Sequence, residues 1–301
     1  MLDSLAPVLS FTECRRLFES VQRAAKSLGV SDVEALIAGH REALTRFANN
    51  TIHQNVAEQA QWLSVRVLLD HRTARATTNR FDEDSIRSAV EQALALTKSV
   101  APDPDLLSLA PPAPIPRIPR FDPTTAEATP VDRARAVSEA IRLVESAGQT
   151  AAGIYSTGQA VEAIFNSQGV AGWHSETAAQ FSITTMAKDS SGWAKASTAA
   201  LSEMEPIELA RRACDKARLS ANPQELPPGH YTVVLEPAAV LDLVGQMFGA
   251  SALPLCTINA ASSPIVWARN CSATTSISTT MSRIRCSPEL PTTARACRGG
   301  N

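Results

Sequence analysis

The chain of 301 residues is long enough for about two ordinary domains. Hydrophobic residues make up 44% and charged residues 19%, which favours a sizeable core and excludes global disorder. A net charge of -2 gives no basic excess, so direct nucleic-acid binding is not expected. No apolar run approaches the ~20 residues of a membrane span, and the first residues lack a signal-peptide layout. We therefore expect a cytoplasmic protein without membrane contact.

The first segment, residues 1–99, is predicted to be a compact α+β domain. A helix begins after Ser10, where Glu13 completes a capping box, and ends at Gly29. Extended segments follow, with turns at Asn49-Asn50 and after Asp70, and a second helix begins after Asp82. The residues predicted to face the core are Cys14, Leu17, Phe18 and Val21 in the first helix, and Ile86, Ala89, Val90, Ala93 and Leu94 in the second.

The strongest boundary in the sequence is rich in proline. Eight of the nineteen prolines lie between Pro102 and Pro123, and proline fixes φ and cannot donate a ladder hydrogen bond. Residues 100–123 are therefore predicted to be an extended linker. A Pro-rich ligand for some other domain is the less favoured alternative.

Residues 124–225 are predicted to form a central domain of helices and short strands. Thr129 caps a helix that ends at Gly148, and a further helix begins at Pro206. Because the strands follow one another closely, antiparallel pairing is expected. The predicted strands are Ala151–Thr157, Ala160–Asn166 and Thr177–Ala187, with a turn at residues 167–169, and the helix residues predicted to face the core are Ala134, Val137, Ile141, Val144, Ile207, Ala210, Cys214 and Ala217.

A second boundary, at residues 222–229, precedes the start of a third domain in residues 226–252. Tyr231–Leu235 is predicted to be a buried strand, and Pro237–Phe248 a helix that is apolar nearly all round. The predicted fold class is therefore α+β. It has antiparallel sheets with packed helices in an N-terminal and a central domain, followed by an incomplete C-terminal domain.

The common catalytic and metal-binding motifs are absent from the sequence. No phosphate-binding loop occurs, and no two of the five histidines stand at i, i+4 spacing. His174 and Glu176 match the spelling of a deaminase motif whose cysteine pair is missing, so a strand-edge histidine is the better interpretation. Trp173 and Trp193 are interpreted as core aromatics in preference to binding platforms. Cys214 is interpreted as a small hydrophobic residue. We assign no catalytic and no metal-binding residue, and substrate-binding residues remain unknown.

Four stretches together resemble the TldD/PmbA family, metalloprotease-related proteins once called modulators of DNA gyrase. They are RFANNTIHQN (46–55), RATTNRFDEDSIRSAVEQAL (75–94), IYSTGQAVEAIFNSQGVAGWHSET (154–177) and PPGHYTVVLEPAAVLDLVGQMFG (227–249). The resemblance runs from about residue 30 to 250. It implies an N-terminal α+β domain, a central domain and a C-terminal domain.

The resemblance also implies a subfamily. TldD-type members carry an H-E-x-x-x-H zinc motif on the helix after the "VVL" strand, whereas this chain has Val240–Phe248 there, with Asp242 as the sole ligand type. The chain is thus similar to the PmbA (TldE) type. This type implies no metal in this chain, zinc in a TldD-type partner subunit, and a shared cavity for cutting peptides or unfolded segments. The alternatives are a self-sufficient metallopeptidase and a non-proteolytic peptide-binding or assembly module.

Residues 253–301 have an unusual composition, with five arginines, no lysine, four cysteines and Glu289 as the one acidic residue. In a shifted reading frame, each codon takes the last base of one codon and the first two of the next. In that frame Trp267-Ala268 forces a glycine and Asn270-Cys271 forces a leucine, and permissive third bases extend the match to the family's C-terminal signature. We therefore expect a frameshift near codon 252, a truncated C-terminal domain and a disordered tail.

Overall fold

A computed structural model of the chain describes residues 7–252, 284–286 and 297–299. The chain divides into two compact units, Met1–Gln224 and Glu225–Asn301. The first unit combines one large antiparallel sheet with helices. The predicted α+β class, with antiparallel strands and packed helices, is confirmed.

The helices and strands of the first unit alternate along the chain. The helices are α1 (Phe11–Ser27), α2 (Glu83–Ser99), α3 (Pro123–Ala126), α4 (Pro130–Ser146) and α5 (Pro206–Leu219). The strands are β1 (Asp32–Ala48), β2 (Thr51–Leu69), β3 (Arg72–Thr78), β4 (Thr150–Asn166), β5 (Ala171–Met186) and β6 (Ser191–Thr198). A short 3-10 turn, Leu201–Glu203, precedes α5.

The six strands form a single sheet in the order β3-β2-β1-β4-β5-β6, and each neighbouring pair is antiparallel. The segments on either side of the proline-rich connector therefore share this sheet, because β1 from the first pairs with β4 from the second. That pairing extends from Glu34–Asn166 at one end to Phe47–Gly153 at the other. One continuous sheet thus holds the first unit together.

Local signals in the sequence fix the ends of these elements. The Ser10 hydroxyl accepts a hydrogen bond from the Glu13 backbone N–H at 3.2 Å. The Ser10 backbone N–H in turn donates to the Glu13 carboxylate at 2.7 Å, which completes the predicted capping box. Thr129 caps α4 in the same way. The predicted turn at Asn49-Asn50 is confirmed, because both residues have positive φ angles, as a two-residue hairpin turn of this twist requires.

Helices cover one face of the sheet, where the odd-numbered residues of β1, β4 and β5 point into two buried clusters. The first cluster lies under α1 and α2, and the second under α4 and α5. The predicted core residues of α2 are all buried, whereas Leu17, Ala134 and Ile207 lie at the partly exposed margin. On the opposite face, formed by the even-numbered residues of these three strands, no helix of the first unit packs within the described residues.

Two strand predictions were wrong. Ala151–Thr157 and Ala160–Asn166 are parts of one strand, because β1 pairs with β4 without a break through Gly158 and Gln159. Tyr231–Leu235 is irregular and exposed instead of forming a buried strand, with Val233 71% exposed. No strand within the described residues pairs with that segment, so its backbone has no ladder to join.

In the second unit, the predicted apolar helix is confirmed as α6 (Pro237–Ala252). The tail, residues 253–301, lies outside the described residues apart from two short strands. These are β7 (Ile284–Cys286) and β8 (Cys297–Gly299), which pair antiparallel with each other. No helix in the described part of the chain is long and apolar enough to cross a membrane.

Candidate functional site

Helix α6 occupies the position at which the resemblance puts a zinc-binding motif. Its first residues, Pro237 to Gln246, include one potential ligand, Asp242, whose side chain is exposed. A single carboxylate cannot bind catalytic zinc, which takes three protein ligands. Across the described residues, no group of three or more histidine, cysteine, aspartate or glutamate side chains is arranged to hold a metal ion. At this position the described residues therefore offer one potential zinc ligand.

The helix-free face of the sheet contains a small polar depression of about 180 Å³. Its floor is Gly158, which faces Glu42 on β1 and Ala178 on β5. A Cβ atom at Gly158 would come within 2.7 Å of the Arg41 carbonyl oxygen, so the close approach of the two strands requires glycine here. The charged side chains of Arg41, Glu42 and Glu176 line the depression around Gly158, which has no side chain.

The histidines of this face lie beside carboxylates. His174 Nε2 lies 3.7 Å from Glu176 Oε2, and His40 Nε2 lies 3.7 Å from Glu58 Oε1. No serine, threonine or cysteine donates a hydrogen bond to a histidine within the described residues. These pairs therefore provide no nucleophile and base for acyl transfer, and the interpretation of His174 as a strand-edge histidine stands.

A larger cavity, about 690 Å³, lies beside the first half of β5. We call it the β5 groove and define it by two walls, β5 residues Ala171–Ser175 and connector residues Ile115–Phe121. Strand β6 pairs with residues Ala179–Met186 of β5, and no strand of the described part of the chain lies beside the first half of that edge. The groove thus lies where the edge of β5 continues beyond its pairing with β6.

The connector runs alongside this edge in the same direction as β5. Its hydrogen bonds to the sheet are made at the two ends of the groove. The Asn166 amide donates to the Ala110 carbonyl oxygen at 2.8 Å, and the Thr177 backbone N–H donates to the Arg120 carbonyl oxygen at 3.0 Å. Between these points no backbone hydrogen bond joins the two walls within the described residues.

The side chains of the groove are apolar along its length and basic at its rim. Phe11, Ile115 and Ile118 are exposed apolar side chains, and Ile118 is 63% exposed. Arg120 is engaged, because its Nε lies 3.3 Å from Glu176 Oε2. Arg117 is exposed and makes no hydrogen bond or ion pair within the described residues. The groove therefore has a positive charge available at its rim.

The two tryptophans have structural partners. The Trp173 indole N–H donates to the Leu9 carbonyl oxygen at 3.2 Å, and the ring packs against the first buried cluster while also lining the β5 groove. The Trp193 indole N–H donates to the Ser182 hydroxyl at 3.1 Å. Cys214 is buried, and burial raises the pKa of its thiol.

Sequence reasoning missed both the β5 groove and the buried cation Arg133. The groove could have been inferred from Pro114, Pro116 and Pro119, which are interspersed with isoleucine and arginine in the connector. The sequence gives no indication that Arg133 is buried, because the spacing of apolar residues in α4 predicts that its neighbour Ala134 faces the core. Burial lowers the pKa of Arg133, which is 1% exposed.

Family models place this architecture among metallopeptidase domains. Residues 33–97 match the model described as PmbA/TldA metallopeptidase domain 1, and residues 120–221 match the PmbA/TldA metallopeptidase central domain. Together these matches span more than half of the chain. The chain belongs to the TldD/PmbA family.

Solved structures share the fold at low sequence identity. TldE from Thermococcus kodakarensis is 17% identical with a TM-score of 0.63, over 67% of this chain and 47% of its own. A candidate modulator of DNA gyrase from Thermotoga maritima is 16% identical, with a TM-score of 0.64 over 71% and 50%. A further candidate gyrase modulator, from Bacteroides thetaiotaomicron, is 17% identical, with a TM-score of 0.67 over 78% and 56%. The chain thus spans about half the length of these proteins. No curated protein matches it.

Proposed function

We propose that this chain is a PmbA/TldE-type subunit that lacks zinc and acts in the cytoplasm with a TldD-type subunit. In this proposal the pair hydrolyses peptides or unfolded segments, and the present chain forms part of the cavity wall. The observation that carries the proposal is α6, where apolar residues and the lone Asp242 stand in place of H-E-x-x-x-H. Zinc and the general base would then belong to the partner.

The exposed apolar surface of the second unit supports a role that depends on further protein. Val234 and Leu241 are each 70% exposed, and Leu243 is 56% exposed. Apolar side chains concentrated in this way mark surfaces that become buried by additional chain or by a subunit. We propose that an intact C-terminal domain and the partner cover α6 and the segment before it.

A reconstitution assay tests the subunit role. Fluorescein-labelled casein serves as an unfolded substrate for this chain alone, for a TldD-type partner alone, and for their mixture. We expect cleavage that depends on the mixture and stops with a chelator. The control is a mixture whose partner carries glutamine in place of the motif glutamate. Cleavage by this chain alone would support the self-sufficient metallopeptidase, whereas complex formation without cleavage would support a binding or assembly module.

We further propose that residues 253–301 are encoded out of frame. The support is compositional: five arginines against no lysine, and four cysteines without metal spacing, are atypical of a folded domain. Sequencing the gene across codon 252 tests this proposal. We expect to find an inserted or deleted base there, and correcting it should restore the family's C-terminal signature. A continuous reading of the present tail in independent isolates would contradict the proposal.

A further inference from the structure

We propose that the β5 groove binds an extended peptide by adding it as a strand to the sheet, with a peptide carboxylate at Arg117. This binding needs neither zinc nor a partner subunit, and it is a property of the first unit alone. It therefore goes beyond the subunit role proposed above and is tested separately.

The edge of β5 supplies unpaired backbone groups at the spacing of a strand. The Thr177 backbone N–H points toward the connector, where it donates to the Arg120 carbonyl oxygen. Because backbone groups in a strand alternate sides with period two, those of Ala171, Trp173 and Ser175 point the same way. An extended peptide beside β5 would pair with these groups, which is the geometry of strand addition.

The connector cannot itself complete this ladder. Pro116 and Pro119 have no backbone N–H, so they cannot donate to the β5 carbonyl groups across the groove. A cavity of about 690 Å³ is lined by both walls along this stretch. An incoming peptide would supply the donors that the connector lacks.

The side chains of the groove indicate which peptide fits. Ile115 and Ile118 on the connector, together with Phe11 at the start of α1, provide apolar surface in the groove, which favours apolar side chains at alternate peptide positions. At the rim, Glu176 is shared between Arg120 and His174, whereas Arg117 is exposed and has no acidic partner within the described residues. The local charge therefore favours a ligand that carries a carboxylate.

Fluorescence anisotropy on the full chain tests the inference. The probe is a short fluorescein-labelled peptide of alternating valine and threonine that ends in glutamate with a free C-terminus. Two further probes, a C-terminal amide and a glutamine replacement, distinguish the terminal carboxylate from the side-chain carboxylate. A fourth probe is N-methylated at alternate residues, which removes the N–H donors while keeping the side chains.

Two substitutions in the chain have matched controls. Arg117→Glu should weaken binding by about fivefold, whereas Arg142→Glu, the same charge reversal on the exposed face of α4, should not. Ser175→Pro removes one edge N–H and should weaken binding by about tenfold, whereas Ser175→Ala keeps that N–H and should bind as the parent does.

The outcomes separate clearly. Weaker binding of the N-methylated probe and of the Arg117→Glu variant supports the inference even where Ser175→Pro fails to fold. Equal affinity for the N-methylated and parent probes, equal affinity of the Arg117→Glu and Arg142→Glu variants, or no binding at all overturns it. None of these results bears on cleavage in the mixture with a partner, so this inference and the subunit role fail independently.

Discussion

Arg133 Nη1 lies 2.9 Å from Thr157 Oγ1, a hydrogen bond that joins α4 to the centre of the sheet. The same nitrogen donates to the Ala128 carbonyl oxygen at 3.0 Å, and Nε lies 3.4 Å from Thr45 Oγ1 on β1. No carboxylate forms an ion pair with this guanidinium within the described residues. Arg133 therefore fixes α4 to β1 and β4 through neutral oxygen acceptors.

Replacing Arg133 separates its packing from its hydrogen bonds. Arg133→Ala leaves a cavity and removes the donors, and we expect the free energy of unfolding to fall by about 3–5 kcal/mol. Arg133→Met keeps most of the volume but leaves the Thr157 hydroxyl without this donor, so a loss of about 1–2 kcal/mol is expected. Urea unfolding measures both values. An equal loss in the two variants would show that packing contributes little.

Gly192 on β6 packs closely against the backbone of α5. A Cβ atom there would clash with the Ala213 carbonyl oxygen and lie 2.6 Å from the Ala217 backbone nitrogen. We expect Gly192→Ala to lower the stability of the first unit by about 2–3 kcal/mol, measured by thermal unfolding. The control is Gly245→Ala in α6, where nothing lies within 4 Å of the added atom. A Gly192→Ala variant as stable as the parent would contradict this packing.

The carboxylates at the helix N-termini predict a loss of stability in acid. The Ser10 hydroxyl lowers the pKa of Glu13, the Ser85 backbone N–H lowers that of Asp82, and the Thr129 hydroxyl lowers that of Asp132. A carboxylate whose pKa is lower in the folded state stabilises the protein above its unfolded pKa of about 4. This contribution is lost as the pH falls through the folded value. We expect a constant free energy of unfolding from pH 7 to about 5 and a decline below about 4.

The Ser10 cap can be tested by itself. Ser10→Ala should reduce the free energy of unfolding by about 1 kcal/mol at pH 7, and by less at an acidic pH below the lowered pKa of Glu13, where that carboxyl carries a proton. Ser27→Ala at the other end of α1 is the matched control, because its hydroxyl bonds only to the Ala24 carbonyl oxygen of the last turn. The same loss at both pH values would contradict the role assigned to Glu13.

Buried thiols should resist alkylation in the folded protein. Burial raises the pKa of Cys14 to about 11 and also raises that of Cys214. At pH 8 about one Cys14 thiol in a thousand is then ionised, and the reagent cannot reach it. Iodoacetamide labelling followed by peptide mapping should show both cysteines protected in buffer and modified in urea. Rapid labelling of Cys14 in the folded chain would contradict its position in the core.

Signals that act within a few residues could be predicted from the sequence. The caps at Ser10, Asp82 and Thr129 are confirmed, because each depends on a side chain that bonds to the backbone three residues away. The turn at Asn49-Asn50 is confirmed because both residues have positive φ angles, which asparagine tolerates better than most residues. These features need no knowledge of the rest of the chain.

Features that depend on distant partners could not be predicted. Gly158 and Gln159 look like a break in the sequence, yet the strand continues because β1 pairs with it on one side and β5 on the other. Tyr231–Leu235 looks like a buried strand, yet it is exposed, since burial needs neighbours that no local pattern supplies. The β5 groove escaped prediction likewise, because its walls come from segments some fifty residues apart.

The metal content of the purified chain tests the central claim most directly. The full chain is incubated with zinc, desalted and measured by mass spectrometry of the metal, beside a TldD-type protein prepared in the same way. The α6 sequence predicts no tightly held stoichiometric zinc in this chain and one zinc per chain in the TldD-type protein. One zinc per molecule of this chain, removed by a chelator together with a peptidase activity of the chain alone, would contradict the account.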